Sequence, residues 1–232
     1  MLIRKLIALG AFAASVSMAA PAIADPITLN SSMIGQSFTV NYNGFIDVYP
    51  RPGLSGQTTF TLTGIQGSSY LFDYSLTNTS SNGATSRISS FGFNADPNIT
   101  GASSTGDYSY ALVDASYPGG LGTIDVCFKS GGQTSTACAG NTGGMTAGQT
   151  GSGTMKLDFG TAAAPNAVTL DDFFVRYENV TGQGCGCITT ANGTGTLAPT
   201  AVPEPGMIGI FGLGLLGLAF ARTYPRRRRQ AA

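Results

Sequence analysis

Apolar and polar side chains alternate with a period of two along most of the chain from residue 37 to residue 177. Phe38, Val40 and Tyr42 share one face of an extended segment, and Phe60 and Leu62 share one face of the next, ahead of a turn at Gly64–Gly67. Tyr70, Phe72, Tyr74 and Leu76 form the cleanest stripe, which stops at the turn cluster Asn78–Gly83. Ile124, Val126 and Phe128 make another stripe, as do Met155, Leu157 and Phe159. Val168–Tyr177 alternates around a doubled Phe173-Phe174, the mark of a bulge or of a strand buried on both faces. A period of two places every second side chain on one face of a strand, so these runs predict half-buried β-strands. Asn43-Gly44, Pro52-Gly53, Asn82-Gly83 and Pro118-Gly119-Gly120 supply turn signals between them. No segment of this region carries the 3.6-residue period of an amphipathic helix. The pattern predicts an all-β domain of eight to eleven strands, an antiparallel β-sandwich for which a jelly roll is one arrangement.

Two stretches lack the stripe. Ser130–Gly153 is dense in Gly, Thr and Ser with scarcely an apolar anchor, and is read as a long mobile loop. Residues 191–201 have similar content and end near Pro199 and Pro203, and are read as a spacer.

The period changes at both ends. Arg4 and Lys5 precede an apolar run from Leu6 to Ala20, and Ala22-Ile23-Ala24 supplies a small-x-small cleavage site. Residues 1–24 therefore read as a signal peptide for the general secretory translocon and signal peptidase, with the mature chain starting at Asp25. At the other end, Val202-Pro203-Glu204-Pro205 leads into an uncharged apolar run, Gly206–Ala221, followed by Arg222 and the block Arg226, Arg227, Arg228 and Arg229. Two prolines hold Glu204 on extended, accessible backbone. The apolar run is read as a transmembrane helix over residues 206–221, and the arginines as a cytoplasmic stop. Sixteen residues of helix rise only about 24 Å, a little short of a typical hydrocarbon core, and Arg222 snorkelling to the interface would make up the difference. The predicted organisation is thus signal peptide 1–24, ectodomain 25–190, spacer 191–201 and processing signal 202–232.

The tail resembles the PEP-CTERM sorting signal of Gram-negative bacteria, carried by Pro203-Glu204-Pro205, the apolar helix and the arginine cluster in that order. The resemblance implies recognition by exosortase, an integral-membrane cysteine transpeptidase that removes the tail after export, and a transient membrane association through the helix. It also implies a surface or secreted protein of bacteria that make exopolysaccharide and form biofilm. In addition, Ile34-Gly35-Gln36-Ser37-Phe38-Thr39-Val40 and the four cysteines are similar to the cistern subgroup of those proteins.

Charge and composition then narrow the chemistry. The formal net charge is zero only because the charges are segregated. Residues 25–205 hold all twelve carboxylates against Arg51, Arg87, Lys129, Lys156 and Arg176, a charge of −7. Such a balance excludes nucleic acid as a partner, since phosphate neutralisation needs a basic surface. Histidine is absent, so the usual base for a serine or cysteine nucleophile is missing, and no Ser-x-x-Lys pattern replaces it. Asp171 and Asp172 are adjacent, so on a regular strand they point to opposite faces and cannot form the opposed pair of a glycoside hydrolase. The chain is therefore expected to be non-enzymatic and to need no cofactor. A hydrolase using carboxylates distant in sequence is the lesser alternative. A carbohydrate-binding module is the stronger one, with Tyr108, Tyr110 and Tyr117 as the aromatic platform.

Four cysteines, Cys127, Cys138, Cys185 and Cys187, in an exported chain predict disulfides. Three pairings are open. A Cys127–Cys138 bridge would pin the base of the Gly-rich loop, and cross-pairing would staple the last strands to the middle of the sheet. Zinc is disfavoured by the C-x-C spacing and the missing histidines. Asn94-Ala95-Asp96-Pro97-Asn98 spaces oxygen ligands somewhat like a calcium loop, but Pro97 and the missing bidentate glutamate favour a plain turn.

Overall fold

A computed structural model describes residues 26–46, 49–131, 136–140, 142–160, 163–182 and 189–199. The first of two compact units, Met1–Leu197, holds all the strands found among the described residues; of the second, Ala198 and Pro199 are described. The expected signal helix and transmembrane helix lie outside the described residues. Among those described, no helix is long and apolar enough to cross a membrane.

Twelve strands are found among the described residues. They are β1 (Ile27–Asn30), β2 (Ser37–Ile46), β3 (Tyr49–Gln66), β4 (Ser69–Asn78), β5 (Thr85–Asp96) and β6 (Gly101–Ser104), then β7 (Tyr110–Tyr117), β8 (Gly122–Lys129), β9 (Met145–Thr146), β10 (Thr150–Asp158), β11 (Ala167–Thr181) and β12 (Thr190–Leu197). All strand pairs are antiparallel, and one continuous path runs β6-β10-β4-β3-β2-β12-β11-β5-β8-β7, with β1 on β11 and β9 on β5. The all-β, antiparallel expectation holds. The two layers of the sandwich are the halves of a single sheet curled into a near-barrel.

The interior shows why the sheet curls. Phe60 of β3 packs its ring on Phe91 and Phe93 of β5, four strands away along the path, with centroids 5.9 and 6.0 Å apart. Phe38 of β2 and Phe173 of β11 also meet Phe60, at 5.1 and 6.1 Å. The residues of every predicted stripe are buried. Burying these aromatic faces against each other removes far more apolar surface than a flat sheet would.

The barrel stops short of closing between β6 and β7, where a cavity of about 420 Å³ lies between Ala102–Ser104 and Tyr110–Leu112. A 3-10 turn, Gly106–Tyr108, links β6 to β7 and sends the Tyr108 side chain into the interior at the seam. Tyr108 is fully buried, its hydroxyl donates to the Ile88 carbonyl at 2.9 Å, and its N–H donates to the Tyr74 hydroxyl at 3.1 Å.

Three expectations are corrected. Asn43-Gly44 and Pro52-Gly53 are not turns but lie inside β2 and β3, with a register shift between Asn43 and Phe45. Leu54 occupies the place a Gly44 side chain would take, 2.3 Å from an ideal Cβ. The expected loop Ser130–Gly153 contains β9 and the start of β10. Gly153 faces inward there because a Cβ would lie 2.0 Å from the Thr105 carbonyl oxygen, so the missing apolar anchor marks close backbone contact. Finally, most of the expected spacer 191–201 belongs to β12, which sits in the sheet between β2 and β11. Its Gly193 and Gly195 face Val175, Val40, Phe173 and Tyr42, whose side chains fill the space that apolar residues of β12 would otherwise take.

Candidate functional site

Of the predicted site residues, Cys127 and Cys138 are placed. They form a disulfide with Cα atoms 5.8 Å apart, and both are fully buried. Cys127 sits in β8 on the face opposite Val126 and Phe128, so the bridge fastens the chain around Cys138 against the outside of the sheet. Ala115, Tyr117 and Ile124 pack around it as a second small core. The Cys138 carbonyl accepts from Ser90 Oγ at 2.9 Å, and the Ala137 carbonyl accepts from Lys129 Nζ at 3.4 Å. Lys129 is fully covered, and burial pushes its ammonium pKa down. Cys185, Cys187, Ala22, Ala24, Val202, Pro203, Glu204, Pro205, Arg222, Arg226, Arg227, Arg228 and Arg229 lie outside the described residues.

The tyrosine platform is overturned. Tyr108 and Tyr117 are 0 % and 2 % exposed, leaving only Tyr110 partly accessible. Both belong to packed interiors: Tyr108 plugs the seam, and Tyr117 stacks on Phe174 at 5.6 Å. A residue read only by its neighbours in sequence offered no sign of this, because the turn and the covering loop bury them.

The adjacent aspartates are also placed differently from a regular strand. The Phe173-Phe174 doublet is the expected bulge, with a register shift between Asp171 and Phe174 and Asp172 at φ 46°. The bulge brings Asp171 into the field of Asp172, Asp125 and Asp96. Burial first, then these three carboxylates, raise the Asp171 pKa. The neighbouring polar groups are engaged: Asn94 Nδ2 donates to Asp172 at 3.1 Å, Asn94 Oδ1 accepts from the Asp125 N–H at 3.1 Å, and Asp125 accepts from the Ala95 N–H at 2.8 Å. Asn94 therefore serves the sheet, and Asp96-Pro97 is a cis turn. Among the described residues, no group of three or more His, Cys, Asp or Glu is arranged to hold a metal ion.

One surface feature was not anticipated. A groove of about 610 Å³ opens where β2 ends and β3 begins, beside Thr194 of β12 and the Asn82 turn. Phe45, Pro50, Pro52 and Leu54 give it apolar walls, and Asn43, Arg51, Ser55, Asn82 and Thr194 supply polar groups. Tyr49, next to Pro50, is 68 % exposed. Apolar walls with a few convergent polar groups are the usual make-up of a small-molecule or sugar site. The signal in the sequence was Tyr49-Pro50-Arg51-Pro52, which reads as a turn until β3 is seen to run through it.

The model of the PEP-CTERM protein-sorting motif matches residues 201–228. This chain carries a PEP-CTERM sorting domain. The match spans the Pro-Glu-Pro triplet, the apolar run and three of the four clustered arginines, Arg226, Arg227 and Arg228. The PEP-CTERM motif identifies an exported protein that an exosortase handles at a membrane. No curated protein and no solved structure matches the chain.

Proposed function

We propose that this is a non-catalytic ectodomain that the secretory translocon exports, signal peptidase trims after Ala24, and an exosortase-like transpeptidase releases from its tail near Pro203-Glu204-Pro205. The mature protein then becomes part of the cell surface or of the exopolysaccharide matrix of a biofilm. The observation that carries this reading is the sorting motif at residues 201–228. A buried disulfide in the ectodomain agrees with an oxidising destination. The carboxylates near the Asp171 bulge lie beside one another, and their nearest donors are backbone amides and Asn94. This arrangement suits a structural role for them.

Intact-mass measurement of the protein recovered from surface and medium tests the proposal. The expected mass lacks residues 1–24 and the Arg226–Arg229 block. Deleting the exosortase, or converting Pro203-Glu204-Pro205 to alanines, is expected to leave the arginine block attached. Exported material that retains the block in a strain with a working exosortase would refute it.

A further inference from the structure

Across their middle, the outward faces of β12, β2, β3, β4 and β10 form a lattice of small neutral hydrogen-bonding side chains, with Asp73, Lys156 and Asp158 toward one end. The strand registers align them in rows that run across the strands. One row is Thr196, Asn41, Gln57, Thr77 and Thr150. The next is Thr39, Thr59, Ser75 and Ser152. All of these side chains are exposed or partly exposed, whereas the alternate positions of the same strands are buried. Neither row contains an ionisable group, and the flanking row adds only Asp73.

Strand spacing sets the step along a row at about 4.8 Å, so the five-strand row spans about 19 Å, and rows lie about 6.7 Å apart. The rows are held in place by their own bonds. Thr39 pairs with Thr59 at 3.0 Å, Gln57 Nε2 donates to Asn41 Oδ1 at 2.9 Å, and Thr77 pairs with Thr150 at 2.8 Å. Each hydroxyl in such a pair keeps further hydrogen-bonding capacity toward solvent. Holding the side chains in position beforehand lowers the ordering cost of binding. At one end the lattice runs on through Asn43, Ser55 and Thr194 into the groove beside Tyr49 and Pro50.

We propose that this face is a docking track for an extended, neutral, hydroxylated polysaccharide laid across the strands, with one chain segment seated in the groove. Sugar hydroxyls donate and accept as Thr, Ser, Asn and Gln do, and an extended hexose polymer advances by close to one strand spacing per sugar. The groove supplies the apolar surface that the C–H face of a sugar needs, with Phe45 and the prolines as walls. Charge selects the class of polymer: the rows are neutral on an ectodomain of charge −7, so a polyanion is repelled and a neutral chain is not. The outer face of the other half of the sheet has a different character. Arg87 pairs there with Glu178, and the disulfide-held segment covers β8.

This inference deepens the matrix reading by naming the chemistry of the polymer, and its test does not depend on processing. The full chain, purified in mild detergent, is run through native gels containing hydroxyethyl cellulose or alginate and is pulled down on insoluble cellulose. Retardation by the neutral glucan and retention on cellulose are expected, with little effect of alginate. Thr59→Val/Thr77→Val removes two hydroxyls at nearly constant shape, and Thr59→Lys/Ser152→Lys puts charge into the second row; each is expected to weaken binding about tenfold. Thr169→Val, on the other half of the sheet, should bind as the parent does. Thermal melts confirm that each variant is folded. Folded protein that ignores both glucans, row variants that bind like the parent, or a preference for alginate would each overturn the proposal. So would light scattering that finds a dimer dispersed by Thr59→Lys/Ser152→Lys, since the face would then belong to a second copy of the chain.

Discussion

Asp171 is held against its own preference. Partial burial and the charges of Asp172, Asp125 and Asp96 raise its pKa, so its ionised form is less favourable in the folded chain than in the unfolded one. A carboxylate with a raised folded pKa contributes stability below the unfolded value and loses it as pH rises through the folded value. Asp171→Asn is therefore expected to raise the thermal midpoint at pH 7. The gain should shrink as pH falls into the carboxylate range, where the protonated aspartate resembles the amide. A gain that stays constant with pH would mean that the charge is not the cause. Residue-by-residue reading missed this site because Asp171 and Asp172 oppose each other only on a regular strand. The bulge that changes their directions was legible in Phe173-Phe174, but its effect on the aspartates was not.

Strands with an apolar stripe at a period of two were legible as elements; β5, covered on both sides, was not. β2, β3, β4, β8, β10 and β11 each carry a predicted stripe. β5 reads Thr-Ser-Arg-Ile-Ser-Ser-Phe-Gly-Phe-Asn-Ala-Asp, and Ile88–Phe93 is buried without a break. β9 pairs along its edge and its outer face lies under the segment around Cys138 and Gly140, so Ser89 and Ser90 are buried with their hydroxyls bonded to the carbonyls of Arg176 and Cys138. Small polar residues in a covered strand hide the period of two. The Cys127–Cys138 bridge keeps that cover in place. Replacing both cysteines with alanine is expected to cost about 3 kcal/mol, the loop-closure entropy of a ring this size. Denaturant titration under oxidising conditions measures it. Hydrogen exchange should then quicken first at Ser89, Ser90 and Ser130, whose backbone and side chains the covering segment shields. Equal stability of the two forms would show that packing alone holds the cover. Of the three pairings the sequence left open, geometry selects this one for Cys127 and Cys138 because β8 presents Cys127 outward to the returning chain.

At the scale of the molecule, the decisive element is β12. It joins the two halves of the sheet, pairing with β2 on one side and β11 on the other. A chain ending at residue 189 is therefore expected to lose its cooperative unfolding transition, while one ending at Pro199 keeps it. Calorimetry distinguishes the two, and a cooperative melt from the shorter chain would contradict the placement of β12. Export processing has to act beyond this strand. That agrees with a sorting motif that begins at residue 201, only a few residues after Leu197.

The amino-acid sequence alone determined the β class, the stripes that face the interior and the sorting tail, because each depends on local order: alternation, or a motif read in a line. Tertiary structure decided the rest. Glycines at inward positions of β12 look like linker in one dimension, yet become strand where aromatic and valine side chains from other strands fill their space, and Gly153 of β10 does so where the Thr105 backbone lies against it. Tyrosines that looked like a platform turned inward, and threonines scattered over five strands became neighbours. Both outcomes follow from which strands pair and in what register, and register is a property of the assembled sheet that no single strand encodes.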